Sequence, residues 1–260
     1  GGLIVNLLFT VCGRAGSKGV TGKNLRNFCG APLVWYTLAA VSVYQERCLP
    51  EGGRIRTVLN TDSEELAQLT AGVPDPPVFL RRPPELAGDR AAKVSVIRDC
   101  LLRAQTLWGE KFDAVVDLDI TSPLRTAGDI QAAVSRKLAR PETDAVYSVA
   151  PARRNPYFNM VREENGFFCK AIPSDFTARQ QAPVFYDMNA SIYAYSVKPL
   201  LEKDPATFFN DRADAVEMLD TGILDIDSEE DYELMQAIAE HLYARRPDFR
   251  EIRDRAHMWL

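Results

Sequence analysis

The first candidate site is a glycine-rich loop, residues 12–19, that directly follows an apolar run. Its glycines recur at every third position, which permits tight turns and lets backbone N–H groups approach an anion closely. The potential phosphate donors in and just after the loop are Arg14, Lys18, Lys23 and Asn24. Lys18 precedes Gly19 and the glycines do not fall as GxGxxG, so the loop is neither a Walker A motif nor a dinucleotide fingerprint. The pattern predicts a polyphosphate site; the alternative is a surface loop with incidental charge.

A second candidate site is the acidic stretch around Asp225 and Asp227. The two residues flank an apolar residue, so both carboxylates point to one side if the backbone is extended. Paired carboxylates without a neighbouring His or Cys suit a hard cation such as Mg²⁺, which commonly combines one or two carboxylates with substrate phosphates. The alternative is the acidic start of a helix at Ser228, which explains Glu229 and Glu230 but not the Asp pair before them.

A third polar cluster follows the predicted strand at residues 112–119. Asp117 and Asp119 alternate onto one side of that strand, and Thr121 and Ser122 offer hydroxyl groups at its end. A turn that caps the next helix would explain the hydroxyl residues and Pro123 without any ligand. The cluster alone does not decide between the two.

These clusters lie between alternating strands and helices. Strands are predicted at residues 3–12, 54–60, 78–80, 112–119 and 144–149, and helices at 33–44, from 61–65 onward, at 91–107 and at 126–139. Further strands are predicted at 190–195 and 215–219, and a final helix at 228–245. Such alternation predicts an α/β fold, a mainly parallel sheet covered by helices on both faces. Ligands of such sheets bind at the carboxyl ends of the strands, where the polar clusters fall.

The alternation breaks between residues 151 and 187, where the chain is polar and aromatic. Short strand-like pieces at 157–162 and 166–170 surround the turn signal Glu164-Asn165-Gly166. We interpret residues 151–187 as an inserted antiparallel arm used for dimerisation, and residues 1–150 with 188–260 as the core. The alternative is a long surface excursion.

Composition excludes several classes of protein. The 260 residues carry 31 Lys and Arg against 36 Asp and Glu, a net charge of −5, which disfavours a general nucleic-acid binder. Two histidines make a His-rich zinc site or a Ser-His-Asp hydrolase an unfavourable interpretation. The five cysteines form no CxxC pair, which favours a reduced, cytoplasmic protein. The apolar N-terminal run is too short to span a bilayer and lacks the features of a signal peptide, so no membrane association is expected.

Six motifs, in order along nearly the whole chain, resemble the acylneuraminate cytidylyltransferases, which include the CMP-sialic acid synthetases. The motifs are residues 13–19 with Lys23-Asn24, residues 60–65, residues 81–87, Thr121-Ser122-Pro123-Leu124-Arg125, residues 189–193 and Asp225-Ile226-Asp227. The resemblance implies a Rossmann-like nucleotidyltransferase fold with a dimerisation arm. It also implies a reaction in which a sugar hydroxyl attacks the α-phosphate of a nucleoside triphosphate and pyrophosphate leaves.

The resemblance also implies a role for each matching residue. Arg14, Ser17 and Lys18 would hold the triphosphate, with Arg14 and Lys18 as the catalytic cations. Lys23, Asn24 and Arg82 would face the base and ribose, and Asp225 and Asp227 would hold Mg²⁺. Arg179 and Gln180 of the arm would reach into the sugar site of the partner in a homodimer.

Two positions differ from the family pattern. Asp119-Ile120 stands where the family usually has Gln-Pro beside the sugar, and Ala92 stands where it tends to have a Ser near the base. An anionic Asp119 would repel a sugar carboxylate unless it is protonated or bridged by a cation.

The leading hypothesis is a Mg²⁺-dependent, cytoplasmic enzyme that transfers CMP from CTP to a nonulosonic (sialic-type) acid for a surface polysaccharide. The alternatives are a nucleotidyltransferase for another base and sugar, such as a guanylyltransferase acting on a sugar 1-phosphate, or a catalytically inactive nucleotide-binding homologue.

Overall fold

The fold, seen in a computed structural model that describes residues 4–16, 22–223 and 225–260, is built on a seven-stranded sheet. In chain order the strands are β1 Asn6–Gly13, β2 Asn27–Phe28, β3 Ala31–Pro32, β4 Arg54–Thr61, β5 Val78–Arg81, β6 Ala114–Leu118, β7 Ala145–Pro151, β8 Val161–Glu164, β9 Phe167–Lys170, β10 Tyr186–Tyr195 and β11 Ala213–Glu217. The main sheet has the order β11-β7-β10-β6-β1-β4-β5, and β2 with β3 and β8 with β9 form two small antiparallel pairs. Within the main sheet, β10 is antiparallel to both neighbours and every other pair is parallel.

Helices cover both faces of this sheet. They are α1 Leu33–Arg47, α2 Glu64–Ala71, α3 Lys93–Trp108, α4 Ala127–Ala139, α5 Val197–Glu202, α6 Glu229–Arg245 and α7 Pro247–His257. Along β1, Leu7 and Phe9 pack into the core under α1, α4, α6 and α7, whereas Leu8 packs into the core under α3 and α5. Burial on both faces explains why β1 is apolar throughout instead of alternating. The predicted α/β fold with a mainly parallel sheet is confirmed.

Several helices begin where a polar side chain can bond to the free N–H groups of the first turn. The Ser63 side chain accepts a hydrogen bond from the Leu66 backbone N–H at the start of α2. Thr126 with Asp129 and Ser228 with Asp231 form reciprocal capping boxes at the starts of α4 and α6. The helix start predicted at Ser228 is therefore confirmed.

Residues 151–187 contain the predicted hairpin, formed by β8 and β9. Asn165 (φ 55°) and Gly166 (φ 80°) both adopt left-handed backbone conformations, as a tight two-residue hairpin turn requires. The first strand of the hairpin is Val161–Glu164, so the strand predicted at 157–162 is placed too early. Tyr186 and Asp187 pair with β7 in the main sheet, where β10 begins four residues before the predicted strand.

The structure adds two helices that the sequence did not predict, α5 and α7. Among the described residues, no helix is long and apolar enough to cross a membrane.

Candidate active site

A cleft of about 450 Å³ opens at the carboxyl ends of β1 and β6. Residues from all three polar clusters line it: Gly13, Arg14, Lys23, Asn24, Arg82, Lys93, Asp117, Asp119, Thr121, Asp225 and Asp227. We refer to Arg14, Lys23, Asn24 and Arg82 as the basic half, and to Lys93, Asp117, Asp119 and Thr121 as the acidic half. The structure thus brings together residues that are far apart in the sequence, since the hydrogen bond between Lys23 and Ile226 spans 203 positions.

Gly13, the last residue of β1, sets the entry of the chain into the loop. A Cβ atom at this position would lie 2.9 Å from Leu66 Cδ2 and 3.0 Å from both Asn24 Nδ2 and Ile120 Cδ1. The Asn24 side chain in turn donates a hydrogen bond to the Arg14 carbonyl oxygen at 3.3 Å. Only a residue without a side chain leaves room for Asn24 to hold the loop backbone in this way.

The cations of the basic half are held by polar partners. Arg82 is buried, and its Nε donates to Asn60 Oδ1 at 2.7 Å. Lys23 Nζ donates to the Ile226 carbonyl oxygen at 3.1 Å, and the Arg14 guanidinium forms a salt bridge with Asp89. Ser17 and Lys18 lie outside the described residues, so their predicted contacts with the triphosphate stay predictions.

The acidic half is organised around the ammonium group of Lys93. Lys93 Nζ lies 3.0 Å from Asp117 Oδ2 and 3.2 Å from Asp119 Oδ2, and Thr10 donates to Asp117 Oδ1 at 2.7 Å. Burial opposes the charge of the ammonium group, but Asp117 and Asp119 outweigh it and raise the pKa of Lys93 well above its usual value. Lys93 is therefore a fixed cation and not a proton acceptor at neutral pH.

Asp119 is an ionised carboxylate in this arrangement. Its Oδ1 accepts hydrogen bonds from the backbone N–H of Thr121 at 3.0 Å and from the Thr121 hydroxyl at 2.9 Å. Burial favours the neutral acid, but Lys93 and these hydrogen bonds outweigh it and lower the pKa of Asp119. The structure therefore holds Asp119 in its charged form, paired with Lys93.

Asp225 and Asp227 lie together at the rim of the cleft. Burial, followed by the charges of Asp227 and Asp119, raises the pKa of Asp225 to about 6, while Lys23 opposes the shift. Because Asp119 of the acidic half and Lys23 of the basic half both act on its carboxyl group, Asp225 lies near both halves. Carboxylates that repel one another fit a hard divalent cation. The part of the chain described contains no group of three or more His, Cys, Asp or Glu arranged for a metal, so substrate oxygens or water would complete the coordination.

The structure does not bring Arg179 and Gln180 into the cleft of their own chain. They lie in a single turn of 3₁₀ helix, Arg179–Gln181, where Arg179 Nη2 donates to the carbonyl oxygens of Ala152 at 3.0 Å and Arg153 at 2.8 Å. Their predicted role in a partner's sugar site stays a prediction.

Sequence reasoning assigned no role to Lys93 or to Arg125. Lys93 is the first residue of α3, where the helix dipole favours an acidic side chain. A lysine at the start of a predicted helix is therefore the feature of the sequence that could have pointed to a special role. Arg125 is fully buried, and it donates through Nη1 to the Ser191 carbonyl oxygen at 2.8 Å and through Nη2 to the Asp119 carbonyl oxygen at 2.7 Å. It therefore ties the end of β6 to β10.

Comparison with known proteins gives matches over almost the whole chain. Residues 9–241 match the model of the family described as Cytidylyltransferase. Post-translational flagellin modification protein B of Campylobacter coli is 34% identical, over 94% of this chain and 99% of that protein. CMP-N,N'-diacetyllegionaminic acid synthase of Campylobacter jejuni subsp. jejuni serotype O:2 is 36% identical, over 90% of this chain and 94% of that protein.

Among solved structures, CMP:2-keto-3-deoxy-manno-octonic acid synthetase complexed with CTP has a similar fold. It superposes with a TM-score of 0.62 at 14% identity, covering 91% of this chain and 99% of that one. At this identity the likeness concerns the fold alone.

Proposed function

The chain belongs to the cytidylyltransferase family and is a nucleotidyltransferase, and from this premise we propose that it transfers CMP from CTP to a nonulosonic (sialic-type) acid. The resemblance indicated by the six sequence motifs is thereby confirmed at the level of the family. The acceptor, the use of Mg²⁺ and the homodimer are part of the proposal.

The observation that carries the proposal is that one cleft is lined both by Arg14, Lys23 and Arg82 and by the cluster of Lys93, Asp117 and Asp119. A nucleoside triphosphate is a polyanion, so it would lie in the basic half, with Arg14 against the phosphate oxygens and Lys23 and Arg82 toward the base and ribose. The cluster of Lys93, Asp117 and Asp119 keeps a net charge of −1. It disfavours a triphosphate more than a singly charged acceptor, so we assign the acidic half to the acceptor. The reacting hydroxyl would then meet the α-phosphate near Asp225, which lies near both halves.

The chemistry follows from this placement. The acceptor hydroxyl loses its proton to water and its oxygen forms a bond to the α-phosphorus, while the bond from that phosphorus to the bridging oxygen breaks and pyrophosphate leaves. Negative charge grows on the pyrophosphate, and Arg14 would stabilise it together with Lys18, as the resemblance implies. Asp225 and Asp227 would hold Mg²⁺, which when bound neutralises phosphate charge.

The relatives support a sialic-type acceptor. The name of the Campylobacter jejuni relative states a CMP-linked diacetyllegionaminic acid as its product, and the alignment with it spans nearly all of both chains. The Lys93–Asp119 salt bridge supports the same conclusion, because it offsets part of the negative charge that would repel an acidic sugar.

A homodimer is supported by the surface of the hairpin formed by β8 and β9. Phe167 and Phe168 are 77% and 74% exposed, which is unfavourable in water unless another surface covers them. In the proposed dimer this surface meets the partner, and Arg179 and Gln180 reach the partner's acceptor.

The test is pyrophosphate release with four nucleoside triphosphates, each combined with sialic acid, related nonulosonic acids and hexosamine 1-phosphates, with and without Mg²⁺. We expect release with CTP and a nonulosonic acid, dependent on Mg²⁺. An Arg82→Met variant serves as the site control, and exposed Arg140→Met as the matched control outside the cleft. Release only with a sugar 1-phosphate, or with no combination, would overturn the proposal.

A further inference from the structure

Lys93 occupies a position that is electrostatically unfavourable for a lysine. It is the first residue of the sixteen-residue helix α3, and the preceding Ala92 provides no side-chain cap. The positive end of the helix dipole disfavours a cation there. Two carboxylates compensate: Asp117 Oδ2 at 3.0 Å and Asp119 Oδ2 at 3.2 Å from the ammonium nitrogen. A charged lysine at this position is therefore stabilised by the two carboxylates and not by the helix.

The ammonium group is held on a further side by an aromatic ring. Lys93 Nζ lies 4.4 Å from the centre of the Tyr193 ring, on β10, which is within the range of a cation–π contact. The Lys93 side chain is nevertheless 33% exposed and lines the cleft, as does Asp119. The pair is thus fixed in place but open to a bound molecule.

The charge of this cluster depends on Lys93. Two carboxylates and one ammonium leave a net charge of −1, which becomes −2 if the lysine is replaced by an uncharged residue. The cluster lies in the acidic half of the cleft, the half assigned to the acceptor because the triphosphate would lie in the basic half. The net charge of the cluster would therefore directly affect the binding of an acidic acceptor.

We propose that Lys93 is a specificity-determining residue, whose ammonium group offsets the charge of Asp119 so that the acidic half of the cleft admits an anionic sugar. The inference rests on the proposed function. In this arrangement Asp119 fixes Lys93, and Lys93 makes Asp119 acceptable beside a sugar carboxylate. The two residues act as a coupled pair.

The experiment compares the wild type with Lys93→Met, Asp119→Asn and the double variant, each with CTP and the best nonulosonic acid. Lys93→Met should raise the KM for the sugar about tenfold, the effect of one uncompensated charge in a partly screened cleft, and change the KM for CTP much less. Asp119→Asn keeps a side-chain oxygen that can accept the two hydrogen bonds from Thr121, so it should retain the local backbone conformation. Because it removes a negative charge, it should lower the KM for the sugar or leave it unchanged. The double variant restores a net charge of −1, and its KM should return to within about threefold of the wild type.

Controls separate charge from folding. Lys93→Arg keeps the cation and should stay close to the wild type, and Lys198→Met removes an exposed lysine of α5 outside the cleft. Melting temperatures show whether each variant folds. If Lys93→Met does not fold, the Asp119→Asn variant still tests the proposal, because a rise in its KM for the sugar would contradict it.

The two hypotheses fail in different ways. A wild-type protein that uses no acidic sugar refutes the proposed function. An active wild type whose Lys93→Met variant keeps the KM for the sugar within about twofold refutes the role of Lys93. A double variant no better than Lys93→Met refutes the coupling, because it would show that Lys93 acts by its own contact with the sugar and not by offsetting Asp119.

Discussion

Replacing Gly13 with alanine tests how the end of β1 positions the nucleotide loop. The added Cβ would lie 2.9 Å from Leu66 Cδ2 and 3.0 Å from Asn24 Nδ2 and Ile120 Cδ1, closer than carbon and nitrogen atoms normally approach. Leu66 and Ile120 are buried in the core and can yield only by disturbing their neighbours, whereas Asn24 can turn into the cleft that it lines. Overpacking of this kind costs about 1–3 kcal/mol. For a chain of this length we expect the melting temperature to fall by roughly 2–6 °C.

The same substitution should weaken catalysis more than stability. Asn24 would be pushed away from the Arg14 carbonyl oxygen that it holds, and the loop would shift against the triphosphate. Misplacement of a substrate-binding group by about 1 Å can reduce the rate roughly a hundredfold, so we expect kcat/KM for CTP to fall by about tenfold or more.

The assay combines thermal unfolding with steady-state pyrophosphate release at varied CTP. Gly16→Ala is the matched control for stability, because a Cβ at Gly16 would meet nothing within 4 Å and the substitution should leave the melting temperature unchanged. If Gly13→Ala unfolds at the same temperature as the wild type and retains its KM for CTP, then close packing at Gly13 does not position the loop.

Four further predictions concern the metal site, the buried arginine and the arm. Asp227→Asn should abolish Mg²⁺-dependent pyrophosphate release with an unchanged circular dichroism spectrum, and near-normal activity would remove Asp227 from the metal site. Because the folded protein raises the pKa of Asp225 to about 6, above its unfolded value, the metal-free protein should lose stability as the pH rises from about 4 to 6 and this group ionises. Mg²⁺ needs the ionised form, so the rise in melting temperature that Mg²⁺ causes should be larger at about pH 7.5 than at about pH 5, and equal rises would contradict this. Arg125→Ala should reduce the free energy of unfolding by about 3 kcal/mol or more in denaturant titrations, because it leaves a cavity and removes the Arg125 hydrogen bond to the buried Asp119 carbonyl oxygen. A loss below about 1 kcal/mol would be inconsistent with that. Phe167→Ser combined with Phe168→Ser should lower the mass measured by light scattering from dimer to monomer, and an equal mass for wild type and variant would argue against the arm as the dimer contact.

Most of the main sheet could be predicted because its signals are local. An apolar run such as β1, buried on both faces, predicts a strand, and a capping residue such as Ser228 predicts the start of a helix. The start of β10 could not be predicted in this way. Ala190, at φ 58°, and a register shift between Met188 and Tyr193 interrupt the strand, so only its second part shows regular strand character.

The residues of the site could be predicted only where one segment carries the signal. The loop after β1 and the pair Asp225 and Asp227 are visible in the sequence because their spacing is itself informative. The contact of Lys93 with Asp119 is not, because it joins the start of a helix to the end of a strand 26 positions away. The role of Arg125 depends equally on β10, 66 positions away, and no local pattern reports such a bond.

The packing of α7 against α1 has a consequence for how the chain acquires its structure during synthesis. His257 Nε2 lies 2.9 Å from the Cys29 carbonyl oxygen, 228 positions earlier, and Arg255 donates to the Ser42 hydroxyl at 2.7 Å. A ribosome adds about 5–20 residues each second, so α7, which covers α1, is synthesised on the order of ten seconds or more after α1. During that interval the apolar surface of α1 is open to chaperones or to other nascent chains. Substitutions in α7 are therefore expected to reduce the yield of folded protein in cells more than they alter the activity of the molecules that fold.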